Sequence, residues 1–227
     1  MKKLLLLLVI MISSLVGSAQ SYDERIATAM NSSDWFALDY IYNVAPKDSI
    51  MPFLEVFSRC LIGNRLNRPD VSVPAFDQLF KEHSASLELG NLLNSTVMFA
   101  TDLSRIGYNQ QASDLAKTIL EATQQYLDST WIASLEQLIY KYTALSAYKP
   151  YGVTFTESVG RVPFKIVPVG EEKHGSVLMH LENSTINEDV ADITFDTGAG
   201  VNMISDSLAQ KYNLIPIDGY VTVAGIG

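Results

Sequence analysis

The sequence predicts an α+β chain: an all-α helical-hairpin domain over residues 20–149, then an incomplete all-β lobe over residues 150–227. Two observations carry this. Apolar residues recur at helical spacing up to Tyr148, as in Leu115, Ile119 and Ala122, and again in Leu135, Leu138, Ile139 and Tyr142. Beyond Pro150 and Gly152 the pattern changes to short β-favouring runs separated by turn residues. With 227 residues, 48% of them hydrophobic, the chain can bury one or two ordinary cores.

Met1-Lys2-Lys3, the apolar run Leu4 to Ile12, Ser13, Ser14 and the small residues Gly17-Ser18-Ala19 form the pattern of a secretory signal peptide, residues 1–19, cleaved after Ala19. Its apolar core is shorter than an ordinary spanning helix needs. The expectation is an exported protein, periplasmic or secreted. The net charge of −9 becomes more negative once Lys2 and Lys3 are removed, which argues against nucleic acid as a partner. Cys60 is the only cysteine, so no intrachain disulfide forms, and it reads as a small buried hydrophobe on a helix.

Seven helices are expected in order: Tyr22 to Met30, Trp35 to Val44, Pro52 to Leu66, Pro74 to His83, Glu88 to Ile106, Asn109 to Leu127 and Thr130 to Ala147. Ser33 or Asp34, Ser72, and Asp128 to Thr130 supply N-caps. Trp35, Phe36, Tyr40 and Tyr42 read as core aromatics rather than a ligand cage. A weak repeat with an offset of 40 places Arg65-Leu66 on Arg105-Ile106, and Leu79-Phe80 on Ile119-Leu120. Arg105-Ile106-Gly107-Tyr108, with Ala112 and Leu115-Ala116, resembles the turn and second helix of a tetratricopeptide-type repeat. That resemblance implies a groove able to hold a protein partner. A plain helical bundle fits the same pattern.

In the second region Val153 to Phe155, Val162 to Val167, Ser176 to Leu181 and Val190 to Phe195 read as strands. Gly170 to Gly175 and Asn183 to Asn187 read as turns. The last strand ends abruptly in Asp196-Thr197-Gly198-Ala199-Gly200, which places a carboxylate on a tight turn at a strand tip. Two carboxylates facing each other there would share one proton and supply an acid and a base together. Ser205 then caps a short helix to Tyr212, Asn213 stops it, and Leu214-Ile215-Pro216 leads to a Gly-rich segment from Gly219 to Gly227.

Asp196-Thr197-Gly198-Ala199, preceded by Ile193-Thr194-Phe195 and followed by Val201-Asn202-Met203-Ile204-Ser205, resembles the active-site motif of the retropepsin-like aspartic peptidases, including the exported bacterial kind. The resemblance implies an acid-protease lobe, an endopeptidase that hydrolyses peptide bonds through an activated water, without metal, cofactor or covalent intermediate. Asp196 would be the catalytic aspartate, Thr197 would hydrogen-bond across to its counterpart, and Gly198 would let the two turns approach. Ala199 and Gly200 would lie along the substrate backbone, and Val223, Ala224, Gly225, Ile226 and Gly227 would begin a flap over it. The chain holds one such motif, so the second aspartate would come from another copy in a homodimer.

Thr154 to Gly227 supplies about three quarters of the roughly 100 residues such a lobe needs. The return of the flap and a later strand behind the catalytic turn are missing, so the lobe is expected to be truncated and inactive as it stands. An exported helical-repeat interaction protein with a degenerate, non-catalytic β domain is the alternative. An Asp-x-Gly-x-Gly phosphate loop would need far more chain after Gly200, and phosphotransfer of the haloacid-dehalogenase type would want an acid where Gly198 stands. Asp192, four residues before Asp196, reads as a solvated side chain; Asp189 and Glu188 offer no second catalytic acid. His83, His174 and His180 are scattered and suggest no metal site. Asn31, Asn94 and Asn183 open glycosylation triplets, which matter only in a eukaryotic secretory route.

Overall fold

The computed structural model describes residues 20–149, 152, 154, 159–168, 177–196 and 202–217. The chain divides into two compact units between residues 150 and 151, the first helical and the second with short antiparallel strands and one short helix among its described residues, an α+β organisation. The strand expected over Val153 to Phe155 and the turn expected over Gly170 to Gly175 lie outside the described residues, as do residues 1–19.

Seven α-helices build the first unit: α1 (Tyr22–Asn31), α2 (Trp35–Val44), α3 (Pro52–Arg65), α4 (Pro69–Glu82), α5 (Leu89–Arg105), α6 (Asn109–Thr123) and α7 (Ser129–Ser146). Their starts follow from local chemistry. Ser21 accepts from the Glu24 N–H at 3.2 Å while the Glu24 carboxylate accepts from the Ser21 N–H at 3.0 Å, a reciprocal capping box. Asp34 and Asp128 cap α2 and α7 by accepting from Ala37 and Trp131 N–H groups, each at 2.9 Å. The fourth helix corrects the sequence expectation: it starts at Pro69, not Pro74, and Ser72 is not its cap. Proline is well suited to a first helical position, where its missing N–H has no partner to lose. Pro74 inside the same helix leaves only the carbonyl of exposed Asp70 without its intrahelical bond.

One turn geometry recurs between α1 and α2, α3 and α4, and α5 and α6. Ser33, Asn67 and Gly107 are left-handed, with φ of 56°, 53° and 86°. The next N–H in each case reaches the carbonyl five residues back: Asp34 to Ala29 at 2.9 Å, Arg68 to Gly63 at 2.7 Å and Tyr108 to Leu103 at 2.8 Å. This closure satisfies helix-end carbonyls and turns the chain back on itself. Asn67 and Gly107 stand at the offset of 40 seen in the sequence repeat. Each helix packs on its sequence neighbours, and α1 also meets α3, α3 meets α5, and α5 meets α7, so alternate helices stand in one row.

Apolar packing forms two clusters on either side of α3. Ile26, Leu38, Ile41, Leu61 and Ile62 join α1, α2 and α3. Val56, Cys60, Phe76, Leu79, Phe99, Leu103 and Tyr142 join α3, α4, α5 and α7. Cys60 is fully buried there, and burial pushes its thiol well above its ordinary pKa, so it stays protonated and inert. Phe36 and Tyr40 overturn the core reading: they are 80% and 64% exposed on the outer side of α2, while Trp35 and Tyr42 are half-buried. On α6 the buried face runs through Ala112, Ser113, Ala116 and Thr123, and Ala122 is exposed.

A polar knot crosses the second cluster. Asp102 of α5 is 0% exposed. Its carboxylate accepts from the Ser72 hydroxyl at 2.6 Å, the Asn64 amide at 3.0 Å and the Arg105 guanidinium at 2.6 Å. Arg105 also donates to the Asn64 carbonyl at 3.0 Å. Gly63 makes this approach possible, because a β-carbon there would stand 2.5 Å from the Ser72 nitrogen.

In the second unit β1 (Phe164–Pro168), β2 (Val177–Leu181) and β5 (Ile193–Phe195) form an antiparallel sheet in the order β1-β2-β5. The run Val190 to Phe195 is not one strand. Asp189–Val190 is β4, paired with β3 (Thr185–Ile186) in a separate ribbon. Asn187 and Glu188 between them have φ of 50° and 72°, which gives the tight turn whose twist suits a hairpin. The short helix α8 (Asp206–Lys211) begins as expected, with Ser205 accepting from the Leu208 N–H at 3.3 Å, and Asn213 closes it at φ 53°. Buried Tyr212 ties it to the ribbon: its carbonyl accepts from the Asn187 amide at 2.7 Å, and its hydroxyl donates to the Val190 carbonyl at 3.2 Å.

Candidate functional site

Register sorts the three-stranded sheet into one apolar face and one mixed face, on which Val167 and Leu178 are paired beside Lys165 and His180. Directly opposed residues point to the same side, and side chains alternate along each strand. Ile193 and Phe195 are opposite Leu181 and Met179, which are opposite Phe164 and Ile166. That face is wholly apolar. Thr194 is opposite His180, and His180 opposite Lys165. Asp192 and Asp196 fall two residues before and after Thr194 and flank β5.

Asp196 immediately follows Phe195, the last residue of β5, and is exposed. The carboxylate is therefore delivered at a strand tip, held by pairing to β2 behind it. The paired strand fixes the chain up to Phe195 more closely than a loop would. Thr197, Gly198, Ala199, Gly200 and the segment Val223, Ala224, Gly225, Ile226 and Gly227 lie outside the described residues. Of the residues expected in the site, Asp196 is the one the structure describes.

Asp192 does more than face solvent. Its side chain is 84% exposed, yet its carboxylate stands 2.8 Å from Nδ1 of His180 across the β2–β5 pair. Spacing in the sequence does not reveal this diagonal contact, because it depends on the strand register. Asp189 lies in β4 and Glu188 in its turn, away from the β5 tip in the chain. Among the described residues no group of three or more His, Cys, Asp or Glu is placed to hold a metal ion.

A second cluster of ionisable groups lies in the helical unit. Arg59 makes two parallel bonds to Glu55 at 2.9 Å and a third to Gln78 at 2.7 Å, and the Tyr42 hydroxyl donates to Glu55 at 2.8 Å. Burial, then the Glu55 hydrogen bond and charge, push the Tyr42 phenol up to about 12. Burial alone would raise the Glu55 carboxyl, but the bonds from Arg59 and Tyr42 and the charges of Arg59 and Lys47 outweigh it and hold it below the usual range. The cluster clamps α2, α3 and α4 together. It contains no nucleophile and no base poised near neutral pH, so it reads as structural.

Compared with protein-family models, with curated proteins and with solved structures, the chain matches none of them.

Proposed function

We propose that the second unit is part of a retropepsin-like aspartic endopeptidase lobe in which Asp196 is the catalytic acid. The observation that carries this is the exposed Asp196 carboxylate at the end of β5, in a strand–Asp-Thr-Gly-Ala context. In the proposed mechanism Asp196 and its twin from a second copy share one proton. The ionised member takes a proton from water as that water attacks the scissile carbonyl, and the protonated member donates to the carbonyl oxygen. The half-exposed apolar face, with Phe164, Ile166 and Phe195 at 53%, 58% and 51%, is compatible with a sheet that gains a further layer in the active assembly.

The test uses protein translated from the complete reading frame, incubated with an unfolded protein substrate from acidic to neutral pH. Cleavage should occur, rise with dimer formation, and vanish in Asp196→Asn. Undiminished cleavage in that variant sinks the assignment.

A second reading treats the chain as an exported interaction protein whose helical unit, of tetratricopeptide-like hairpins, does the binding and whose β unit is not catalytic. The recurring turn at Ser33, Asn67 and Gly107 and the row of alternate helices favour it. A folded wild type with no peptidase activity would leave this reading standing.

A further inference from the structure

Two helices of the row, α3 and α5, enclose an open pocket of about 390 Å³. Phe57, Leu61 and Arg65 line it from α3, spaced four residues apart on one stripe. Asn91, Asn94, Ser95 and Met98 line it from α5, again on one stripe. Phe57, Leu61 and Met98 make the base apolar, while Arg65 and the two carboxamides are exposed.

Three features of this pocket point to a polar ligand. Ser95 is fully buried, and its hydroxyl has no hydrogen-bond partner. Its helix neighbours Thr96 and Thr101 instead return their hydroxyls to carbonyls four residues back, each at 2.8 Å. The Arg65 guanidinium lies 5.1 Å from the Trp35 ring centre and has no ion pair among the described residues. Arg65 places a positive charge at the pocket on a chain of net charge −9. Asn91 and Asn94 likewise make no side-chain hydrogen bonds among the described residues.

We propose that this pocket binds an extended peptide segment in which an apolar side chain is followed by a carboxylate. Each Asn carboxamide can donate and accept at once, which matches the N–H and C=O of a peptide backbone. Arg65 presents a planar fork to a carboxylate. The apolar side chain fills the base against Leu61 and Met98. A bare inorganic anion would leave the apolar base unused, and a purely apolar ligand would strip water from Arg65 and both carboxamides without replacing it. The inference deepens the binding role proposed for the helical unit and is independent of Asp196.

The experiment is an amide NMR titration of the whole chain with acetyl-Ala-Leu-Glu-Ala-amide, its Gln counterpart, and inorganic phosphate. The Glu peptide should produce saturable shifts at the Asn91 and Asn94 side-chain amides and at Ser95. Affinity should fall about fourfold with the Gln peptide and by a similar factor in Arg65→Gln, the scale of one solvent-accessible charge pair. Asn91→Ala with Asn94→Ala should weaken both peptides alike. The proposal is overturned if those signals do not move, if Glu and Gln peptides bind equally and Arg65→Gln changes nothing, or if phosphate competes on equal terms. Saturable shifts confined to another face of the helical unit would refute this pocket while leaving the unit's binding role intact.

Discussion

Ser72 on α4 donates its hydroxyl to the Asp102 carboxylate on α5 at 2.6 Å, and neither residue is exposed at all. A buried carboxylate is tolerated only when it is paired and hydrogen-bonded, and Asn64 and Arg105 complete the set. Asp102→Ala strands three donors in the packing between α3, α4 and α5. Arg105 is one-third exposed and can turn to water, so the cost sits at the lower end of the range for breaking such a pair, about 3 kcal/mol. Ser72→Ala removes one bond to a charged group and should cost about 2 kcal/mol. Urea unfolding of both variants measures the difference; equal losses would mean that Asp102 contributes through Ser72 alone.

Gly63 gives a sharper test of the same junction. Alanine in a helix is ordinarily better than glycine by about 1 kcal/mol. At Gly63 the added β-carbon would meet Ser72 nitrogen, Cβ and Cα at 2.5, 2.6 and 2.8 Å, and two of those atoms are backbone that cannot swing away. Overpacking of this kind costs about 1–3 kcal/mol or more and should win, for a net loss of about 2 kcal/mol in Gly63→Ala. Gly90→Ala meets nothing within 4 Å and should be neutral or stabilising. If the two substitutions behave alike in urea unfolding, the close approach of α3 and α4 is not what holds the knot.

Signals that live in a few adjacent residues were readable before the fold was known. Asp34, Asp128 and Ser205 sit just before periodic runs, and a cap needs only its own side chain and the N–H groups that follow. The start of α4 was not readable in this way, because Ser72 before Val73-Pro74 imitates a cap. What claims its hydroxyl is Asp102, thirty residues on. Phe36 and Tyr40 show a similar limit: helical spacing tells which residues share a face, not whether another helix covers it. In the second unit, Asp196 at a strand end was legible from the apolar run before it. The β3–β4 ribbon was not, since Asn187-Glu188 carries no glycine to mark its turn, and the His180–Asp192 contact needs a register that only the paired strands supply.

The clamp around Tyr42 predicts a direction for alkaline stability. The phenol is raised from 10.0 to about 12 in the folded chain, so the folded state holds its proton more tightly than the unfolded state does. A raised value stabilises fully below the unfolded pKa, and that contribution is lost as pH rises through the window from about 10 to 12. Glu55 has the opposite sign: its depressed value stabilises above the ordinary carboxyl pKa and is lost as pH falls through the folded one. Tyr42→Phe should flatten the stability curve above pH 10 and leave the acid limb largely in place. Chemical unfolding across the pH range checks this, and an unchanged alkaline limb would contradict it.

Asp192 and Asp196 flank β5 and differ in what surrounds them, which allows the catalytic proposal to be tested at the two ends of one strand. Asp192 stands against His180 on the body of the sheet, while Asp196 follows the last paired residue. With Asp192 84% exposed, its contact with His180 is worth under about 1 kcal/mol. Asp192→Asn should therefore leave the far-UV spectrum, the unfolding midpoint at high salt and any cleavage close to wild type. Asp196→Asn should keep the same spectrum but lower cleavage by about 100-fold or more, the scale of removing a group that moves a proton in the transition state. The two substitutions make the same chemical change four residues apart, so a loss confined to position 196 ties the effect to its place at the strand end. Equal losses at the two positions would point instead to the net charge of the sheet.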